Sequence, residues 1–397
     1  MASPLLDRLS KLFSTVLAAL EGELGVWVVG GAVRDLLLDL EPGDLDLVVE
    51  GDAVPVARRA AARLGGDVVV HERFGTATVR GAGISFDLAG ARRESYERAG
   101  ALPDVELGAP LEADLARRDF TVNTLALRLV DGTLTGWPGA EDDLRARVLR
   151  VLHDASFRDD PTRLLRMARY AGRLGFAPEA GTAELAAAAI ADGALATVSA
   201  ERLGAELRLL AREPQPAALA ELGRFGLGAA LLPAFDVDTA LIERAMRLCR
   251  ELRAAIPRCD LVALGAVVRG AEPTVLAARL RGLAFAAGDA AAVVACASVD
   301  ELVATLFGAS PSEADLVLGG TPVEAAVLAA AAGSEPAGDW LVRGRHERLA
   351  ITGADLLAAG LSGPAVGQGL RAARAALLDG TAPDREAQLA AALAPPT

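Results

Sequence analysis

Histidine, cysteine and lysine are scarce in this chain of 397 residues, which holds three histidines, three cysteines and a single lysine, Lys11. Three scattered cysteines offer neither a disulfide framework nor the spacing of metal ligands, so we expect buried small side chains there. A metal-dependent hydrolase site built on His153 and Asp154 would need further histidines, and we exclude it. The cysteines are Cys249, Cys259 and Cys296.

Long uncharged apolar runs are also missing. Arginine and glutamate interrupt the alanine-rich segments too often for a bilayer span, and the N-terminal region lacks the pattern of a signal peptide. We therefore expect no membrane association and a cytoplasmic protein. Because 52% of the residues are hydrophobic, the chain can bury a core, and its length suffices for two or more domains.

Positive charge is in deficit, with a formal net charge of −13 and a pI near 4.9. This balance argues against broad, nonspecific binding of nucleic acid, which normally requires a basic surface. A local basic groove stays open, because almost every basic residue is arginine, whose planar fork matches phosphates and base edges.

The segment 26–51 combines a glycine pair with two closely spaced aspartates. An apolar, β-branched run ends at Gly30 and Gly31, and leucines at helical spacing follow until Pro42 and Gly43. Glycines let backbone N–H groups approach a ligand, and a helix N-terminus adds positive charge, which together favour a triphosphate. The segment is neither a Walker loop nor a dinucleotide fingerprint, because both of those glycine patterns are absent.

Asp44 and Asp46 lie at i and i+2 where the next strand begins, so strand alternation points both carboxylates to one side. Two such carboxylates repel one another, and Mg²⁺ is held by one or two carboxylates together with substrate phosphates. The alternative is that Asp44 caps a turn and Asp46 is solvated. Asp87 ends a further alternating segment, 84–88, and either completes this acidic site or is an ordinary residue at a strand end.

Two later segments carry arginines. Arg117 and Arg118, with Asn123, could bind triphosphate oxygens and sugar hydroxyls. Asp160 followed by proline predicts a helix start, and the helix then places Arg163, Arg166, Tyr170 and Arg173 within a sector of about 80°. A carboxylate beside a guanidinium fits the Watson–Crick edges of cytosine and adenine, whereas guanine and uracil present a carbonyl to the carboxylate.

Three motifs, in this order along the chain, resemble those of the class II tRNA nucleotidyltransferase and bacterial poly(A) polymerase family. They are GGAVRDLLL with GDLDLVV, then RRDFTVNTLAL, and then the run Asp159–Arg163. The resemblance covers residues 24–180, and more weakly 349–390. The family's base-reading motif begins with glutamate, where this chain has the shorter Asp159. From about residue 180 the chain is rich in alanine, leucine, arginine and glutamate at helical spacing.

The resemblance implies an α+β fold: a polymerase-beta-like nucleotidyltransferase head with a small mixed β-sheet, followed by an all-α neck, body and tail. The expected divisions are 1–148 for the head, 149–235 for the neck with the base-reading motif, and 236–397 for the tRNA-binding body and tail. Residues 92–106 are expected to form the family's mobile surface loop, which helps to switch between nucleotides.

The resemblance also implies the chemistry, with Mg²⁺ as cofactor and CTP, ATP and the 3′ end of tRNA as substrates. A full CCA-adding enzyme is the reading we favour; a CC-adding or A-adding partial enzyme, a poly(A) polymerase and a catalytically inactive RNA-binding descendant stay open. The sequence carries no signal for an oligomeric state. The expected catalytic residues are Asp44, Asp46 and Asp87, of which Asp44 and Asp46 bind metal, and the expected nucleotide-binding residues are Gly30, Gly31, Arg34, Asp35, Arg117, Arg118, Asp119, Asn123, Asp160, Arg163 and Arg166.

Overall fold

The structure is a computed structural model that describes residues 3–71, 75–252 and 258–394. It divides into two compact units, Met1–Ser199 and Ala200–Thr397. The division falls inside the segment expected to be the neck, and the three-part division into head, neck and body stays a prediction.

The first unit contains a seven-stranded mixed sheet with the strand order β3-β4-β5-β2-β1-β8-β9. Neighbouring strands are antiparallel, except that β2 runs parallel to β5. This mixed sheet confirms the predicted fold class of the head. Its strands are β1 (Val26–Val29), β2 (Leu47–Val49), β3 (Asp67–His71), β4 (Thr76–Gly81), β5 (Ile84–Gly90), β8 (Ala126–Arg128) and β9 (Leu134–Thr135).

Strand β1 lies inside the sheet because each of its four residues is apolar and buried. Its neighbours β2 and β8 shield both of its edges, so its backbone hydrogen bonds are satisfied. The glycine turn that follows β1 therefore leaves the middle of the sheet. Small ladders complete the unit: the hairpin of β6 (Arg92–Ser95) and β7 (Asp104–Leu107), and the parallel pair β10 (Val148–Leu149) and β11 (Ala177–Pro178).

Helices pack against this sheet and continue beyond it in the first unit. Short 3-10 turns occur at Thr121–Asn123 and Ala194–Thr197. The helices are α1 (Pro4–Leu12), α2 (Ser14–Ala19), α3 (Gly31–Leu37), α4 (Ala53–Leu64), α5 (Leu111–Ala116), α6 (Ala140–Ala146), α7 (Ser156–Asp159), α8 (Thr162–Leu174) and α9 (Ala180–Ala191).

The segment 92–106 was expected to be a mobile loop, but in the structure it forms a hairpin. Its two ends pair as the antiparallel hairpin β6–β7, and Arg93 on one strand faces Glu106 on the other at 2.9 Å. Only the connection between the strands lacks regular structure. The hairpin was missed because its strands are largely polar, so no apolar alternation marks them.

The second unit is helical throughout its described residues, as predicted, apart from a 3-10 turn at Gly344–His346. A small apolar cluster joins its last three helices, with Ile351, Leu356, Ala373 and Ala392 buried together. Its helices are α10 (Ala200–Ala211), α11 (Ala217–Arg224), α12 (Gly228–Leu231), α13 (Thr239–Leu252), α14 (Cys259–Val267), α15 (Pro273–Gly282), α16 (Ala287–Ala297), α17 (Val299–Thr305), α18 (Pro311–Leu318), α19 (Val323–Ala331), α20 (Glu335–Val342), α21 (Gly353–Ala358), α22 (Pro364–Leu378) and α23 (Arg385–Leu393).

The cysteines and the hydropathy of the helices follow the sequence-based expectations. Cys249 and Cys296 are buried and Cys259 is half-buried, and all three thiols are free. Across the described residues, we find no helix with the length and apolar character needed to cross a membrane.

Candidate active site

The turn after β1 brings an arginine against the backbone. Gly30 has φ +68°, in the left-handed region, and its N–H donates to the carbonyl of Leu125 at 2.8 Å. A Cβ placed on Gly30 would lie 2.8 Å from Nη1 of Arg118, whereas one on Gly31 would make only an ordinary contact, at 3.6 Å. Gly30 is therefore favoured by its positive φ, and a Cβ there would displace the Arg118 guanidinium; neither constraint applies at Gly31.

The predicted acids gather at one end of β2 and β5. Asp44 lies in a bend and Asp46 directly precedes β2, so the pair stands before the strand and not within it as the sequence predicted. The carbonyl of Asp46 accepts from the N–H of Val29 at 3.0 Å. Because Leu47 pairs in parallel with Leu88, the preceding residues Asp46 and Asp87 also lie side by side. The two neighbouring strands thus present acids at the same end.

The electrostatics of Asp46 reflect this crowding. Loss of solvation raises the pKa of its carboxyl, and the negative charges of Asp44 and Asp87 raise it further, while Arg118 and Arg166 act in the opposite direction. The side chain still contacts solvent, although protein atoms surround much of it. A carboxylate whose charged form is disfavoured in this way gains from a nearby cation.

These residues fit a magnesium ion held partly by substrate. Among the described ranges no group of three or more histidine, cysteine, aspartate or glutamate side chains is arranged to hold a metal. Mg²⁺ needs only one or two protein carboxylates when phosphate oxygens complete its coordination shell. Asp44 and Asp46 can provide those carboxylates. Asp87 accepts a hydrogen bond from the hydroxyl of Thr78 at 2.6 Å, so its carboxylate already has a protein partner.

Arg34 and Asp35, predicted to bind nucleotide, lie in the interior of the first unit. Arg34 is 2% exposed and donates to Asp35 at 2.6 Å and to Oδ1 of Asn123 at 2.5 Å. Asp35 also accepts from Arg173 on α8 at 3.1 Å. These contacts join α3, the 3-10 turn and α8. Direct contact of Arg34 with phosphate stays a prediction.

Asp119 is a buried carboxylate that links the RRDFTVN motif to helix α8. Its carboxylate accepts from the Asn123 amide at 2.9 Å and from Nε of Arg166 at 2.7 Å. Burial would raise its pKa, but the charge of Arg166 and the hydrogen bond from Asn123 outweigh burial and lower the pKa to about 2. Asp119 is therefore ionised at any physiological pH and fixes Arg166 and Asn123.

The adjacent arginines Arg117 and Arg118 have different surroundings. Both donate to the fully buried Asp114, at 2.8 and 2.9 Å. Burial raises the pKa of the Asp114 carboxyl, but the charges of the two arginines outweigh burial and lower the pKa below its ordinary value. Arg117 also binds Glu94 at 3.0 Å. The Nε of Arg118 is buried and has no hydrogen-bond partner among the described residues. Arg118 thus has one guanidinium nitrogen without a protein acceptor, next to the Gly30 turn, and contact of Arg118 with a phosphate stays a prediction.

Helix α8 begins as the sequence predicts, since Oδ1 of Asp160 accepts from the N–H of Thr162 at 3.1 Å. Arg163 is 4% exposed, and its guanidinium donates to the hydroxyl of Ser156 and, at 2.8 Å, to the carbonyl of Arg117. The base-reading pair, Asp160 and Arg163, therefore lies beside the motif that contains Arg117. Reading of a base by this pair stays a prediction.

Sequence reasoning missed three residues that hold the site together. Asp114 could have been found, because it stands three and four residues before Arg117 and Arg118 on a helix. Glu94 and Ser156 left no such signal, since their partners lie 23 and 7 residues further along the chain, outside the spacing of one helical turn. Tyr170 was predicted only as part of the α8 face. Its ring packs edge-on against that of Phe120, with 6.0 Å between the ring centroids. Three guanidinium groups lie 5.2 to 5.7 Å from the centroid of the Tyr170 ring, those of Arg34, Arg166 and Arg169.

Comparison with known proteins matches this region to one domain family and the whole chain to one fold. The Poly A polymerase head domain matches residues 26–150. An A-adding tRNA nucleotidyltransferase of Geobacter sulfurreducens is 43% identical over 62% of this chain and 28% of the relative. A CC-adding tRNA nucleotidyltransferase of Deinococcus radiodurans is 43% identical over 54% of this chain and 57% of the relative.

A solved complex of a CCA-adding enzyme with ATP is 27% identical, has a TM-score of 0.78, and covers 98% of this chain and 97% of its own. The matches to the two curated relatives, by contrast, span from about a quarter to just over half of their length. The resemblance that the motifs indicated is confirmed by these matches, which relate the chain to the class II tRNA nucleotidyltransferases.

Proposed function

We propose that this protein transfers nucleotides from CTP and ATP to the 3′ end of tRNA, building the CCA terminus without a nucleic-acid template. The observation that carries the proposal is the placement of the acid pair Asp44 and Asp46 beside Arg118, whose buried Nε lacks a protein acceptor. Acids for a metal and a guanidinium for a phosphate are the groups that phosphoryl transfer requires.

In this reaction the 3′-hydroxyl oxygen of the tRNA attacks the α-phosphorus of the nucleotide, and pyrophosphate leaves. Asp44 and Asp46 would hold Mg²⁺, which supplies positive charge at the reacting phosphate. Arg118 binds the triphosphate, and Asp119 holds Arg166 towards the same edge. Positioning and neutralisation of charge provide most of the rate in such transfers.

Selection of the nucleotide is assigned to Asp160 and Arg163. The carboxylate accepts from the exocyclic amine that cytosine and adenine share, and the guanidinium donates to the neighbouring ring nitrogen. Uracil and guanine present a carbonyl to the carboxylate, which repels it. The structure of a CCA-adding enzyme with ATP, similar over nearly the whole chain, supports use of a nucleoside triphosphate by this fold.

A second candidate is addition of the terminal A alone. It is favoured by the 43% identity with the A-adding tRNA nucleotidyltransferase of Geobacter sulfurreducens. An equal identity with a CC-adding enzyme means that identity alone does not choose between the partial activities.

The test is extension of three tRNA transcripts, ending before the CCA, after one C and after both Cs, with CTP and ATP supplied separately and together. Growth of all three to CCA supports the full activity. Extension only of the CC-ended transcript supports the A-adding candidate, a halt after CC indicates a CC-adding enzyme, and long A tails indicate a poly(A) polymerase. Absence of any extension with Mg²⁺, while the protein is folded, refutes the proposal.

A further inference from the structure

Arg117 is held from two sides by carboxylates. Asp114 on α5 binds it at 2.8 Å and Glu94 on β6 binds it at 3.0 Å, and its side chain is 19% exposed. These ionic contacts occupy Nε and both terminal nitrogens. Arg117 is therefore a brace within the protein, in contrast to Arg118, which retains a buried donor without an acceptor in the described structure.

Glu94 is the centre of this brace. Its side chain is 7% exposed and binds Arg92 at 2.9 Å and Arg117 at 3.0 Å, and it accepts from the hydroxyl of Tyr96 at 3.2 Å. A carboxylate so nearly removed from water depends on such partners, because an unpaired buried charge is costly. Glu94 thus ties the β6–β7 hairpin to the RRDFTVN motif.

The brace leads directly to the base-reading pair. Arg163 donates from Nη2 to the backbone carbonyl of Arg117 at 2.8 Å, so the placement of that carbonyl determines where one side of the guanidinium lies. Tyr96 lies in the same neighbourhood: burial raises its pKa to about 12, the charges of Glu94 and Asp160 add to the rise, and Arg163 opposes it. Hairpin, motif and base-reading pair therefore form one connected cluster.

We propose that Glu94 is a positioning residue which, through Arg117, fixes the guanidinium of Arg163 and thereby controls the choice of nucleotide. The inference rests on the proposed nucleotide transfer. Removing Glu94 leaves the Arg117 side chain held by Asp114 alone, which loosens the placement of the Arg117 carbonyl, one of the two groups to which Arg163 donates. Because recognition of an amine against a carbonyl depends on geometry within hydrogen-bonding range, discrimination falls before overall activity does.

The experiment measures kcat/KM for CTP, ATP, UTP and GTP with the full chain and tRNA transcripts, for wild type, Glu94→Gln and Glu94→Ala. The matched control is Glu106→Ala, which breaks the solvent-exposed pair with Arg93 on the same hairpin. Glu94→Ala should lower the ratio of kcat/KM for CTP over UTP about tenfold, the size of one charge-assisted hydrogen bond. Glu94→Gln, which keeps the shape and part of the bonding, should lower it less.

Each outcome supports or contradicts the inference. An equal loss of kcat/KM for all four nucleotides would assign Glu94 a merely structural role and overturn the proposal, as would an unchanged ratio. A similar loss of discrimination in Glu106→Ala would also overturn it, because the effect would then belong to the hairpin in general. If Glu94→Ala does not fold, the Gln variant decides alone. A wild-type protein that adds no nucleotide refutes the proposed function itself, which is a separate result.

Discussion

The ion pair of Asp119 and Arg166 provides a test of how the RRDFTVN motif is held against helix α8. The two side chains meet at 2.7 Å, with Asp119 5% and Arg166 32% exposed. A pKa of about 2 for Asp119, against an ordinary 3.8, corresponds to about 2 kcal/mol of stabilisation of the carboxylate by its folded surroundings. We expect Asp119→Asn to lower the free energy of unfolding of the first unit by about this amount near neutral pH.

The sign of the pH dependence follows from the direction of the shift. The folded pKa lies below the unfolded pKa, so the stabilisation is complete above the unfolded value and is lost as the pH falls from about 4 towards 2. The difference in unfolding free energy between wild type and Asp119→Asn should therefore shrink over this interval. A difference that stays constant as the pH falls would contradict the assigned pKa.

The assay needs a signal from the first unit alone, because two compact units need not unfold together. Of the three tryptophans, Trp27 and Trp137 lie in the first unit and Trp340 in the second, so urea unfolding is followed by fluorescence in a Trp340→Phe background. A double-mutant cycle of Asp119→Asn with Arg166→Gln should give a coupling of about 2 kcal/mol.

The matched control is the exposed pair Arg93 and Glu106, whose side chains are 57% and 68% accessible. A cycle on this pair should give less than about 1 kcal/mol, because solvent screens exposed charges. A coupling for Asp119 and Arg166 no larger than that of the control would refute the reasoning that burial makes this ion pair important.

Three further predictions concern other parts of the molecule. Asp44→Asn and Asp46→Asn should each abolish nucleotide addition without lowering the melting temperature, since both side chains are exposed; retained turnover in a folded variant would contradict the metal-site assignment. Gly30→Ala should cost about 1–3 kcal/mol in unfolding free energy and weaken nucleotide binding, while Gly31→Ala should be nearly neutral in denaturant titration and in KM. Asp315→Ala should destabilise the second unit by about 3 kcal/mol, because it removes the acceptor of an indole and of a partly buried arginine. The measurement is urea unfolding followed by Trp340 fluorescence in a Trp27→Phe, Trp137→Phe background, where an unchanged midpoint would contradict the prediction.

The sequence predicted those elements whose residues carry a local pattern. Strand β1 and helix α3 were anticipated because an apolar run marks the strand and leucines at helical spacing mark the helix. In residues 1–24, the helical spacing of Leu9, Phe13 and Leu17 predicts a single amphipathic helix. The structure has instead the pair α1 and α2, interrupted at Phe13, whose backbone leaves the helical region. Hydrophobic spacing continues across such a break, so periodicity alone does not reveal it.

In the candidate site, local sequence patterns do not predict which side chains contact one another. The motifs singled out Arg117 and Arg118, but they did not reveal that all three guanidinium nitrogens of Arg117 contact protein carboxylates, whereas Nε of Arg118 has no partner among the described residues. Arg117 is fixed by Glu94, which is distant in sequence, and that pairing exists only once the hairpin has formed. Arg34 likewise meets Asn123 only in the folded state. The spacing of the motifs identifies which side chains are chemically suited to the site. The three-dimensional contacts show which of these side chains are held by other protein groups.

The single parallel pairing in the head sheet has a consequence for the order of folding. Asp46 and Asp87 become neighbours only when β2 pairs with β5, and helix α4 with strands β3 and β4 lies between them in the chain. Contacts between such distant segments cost loop-closure entropy and form later than the local hairpin of β4 and β5. A refolding chain should therefore regain helix and hairpin signals first, and the proposed metal site should form only when β2 pairs with β5.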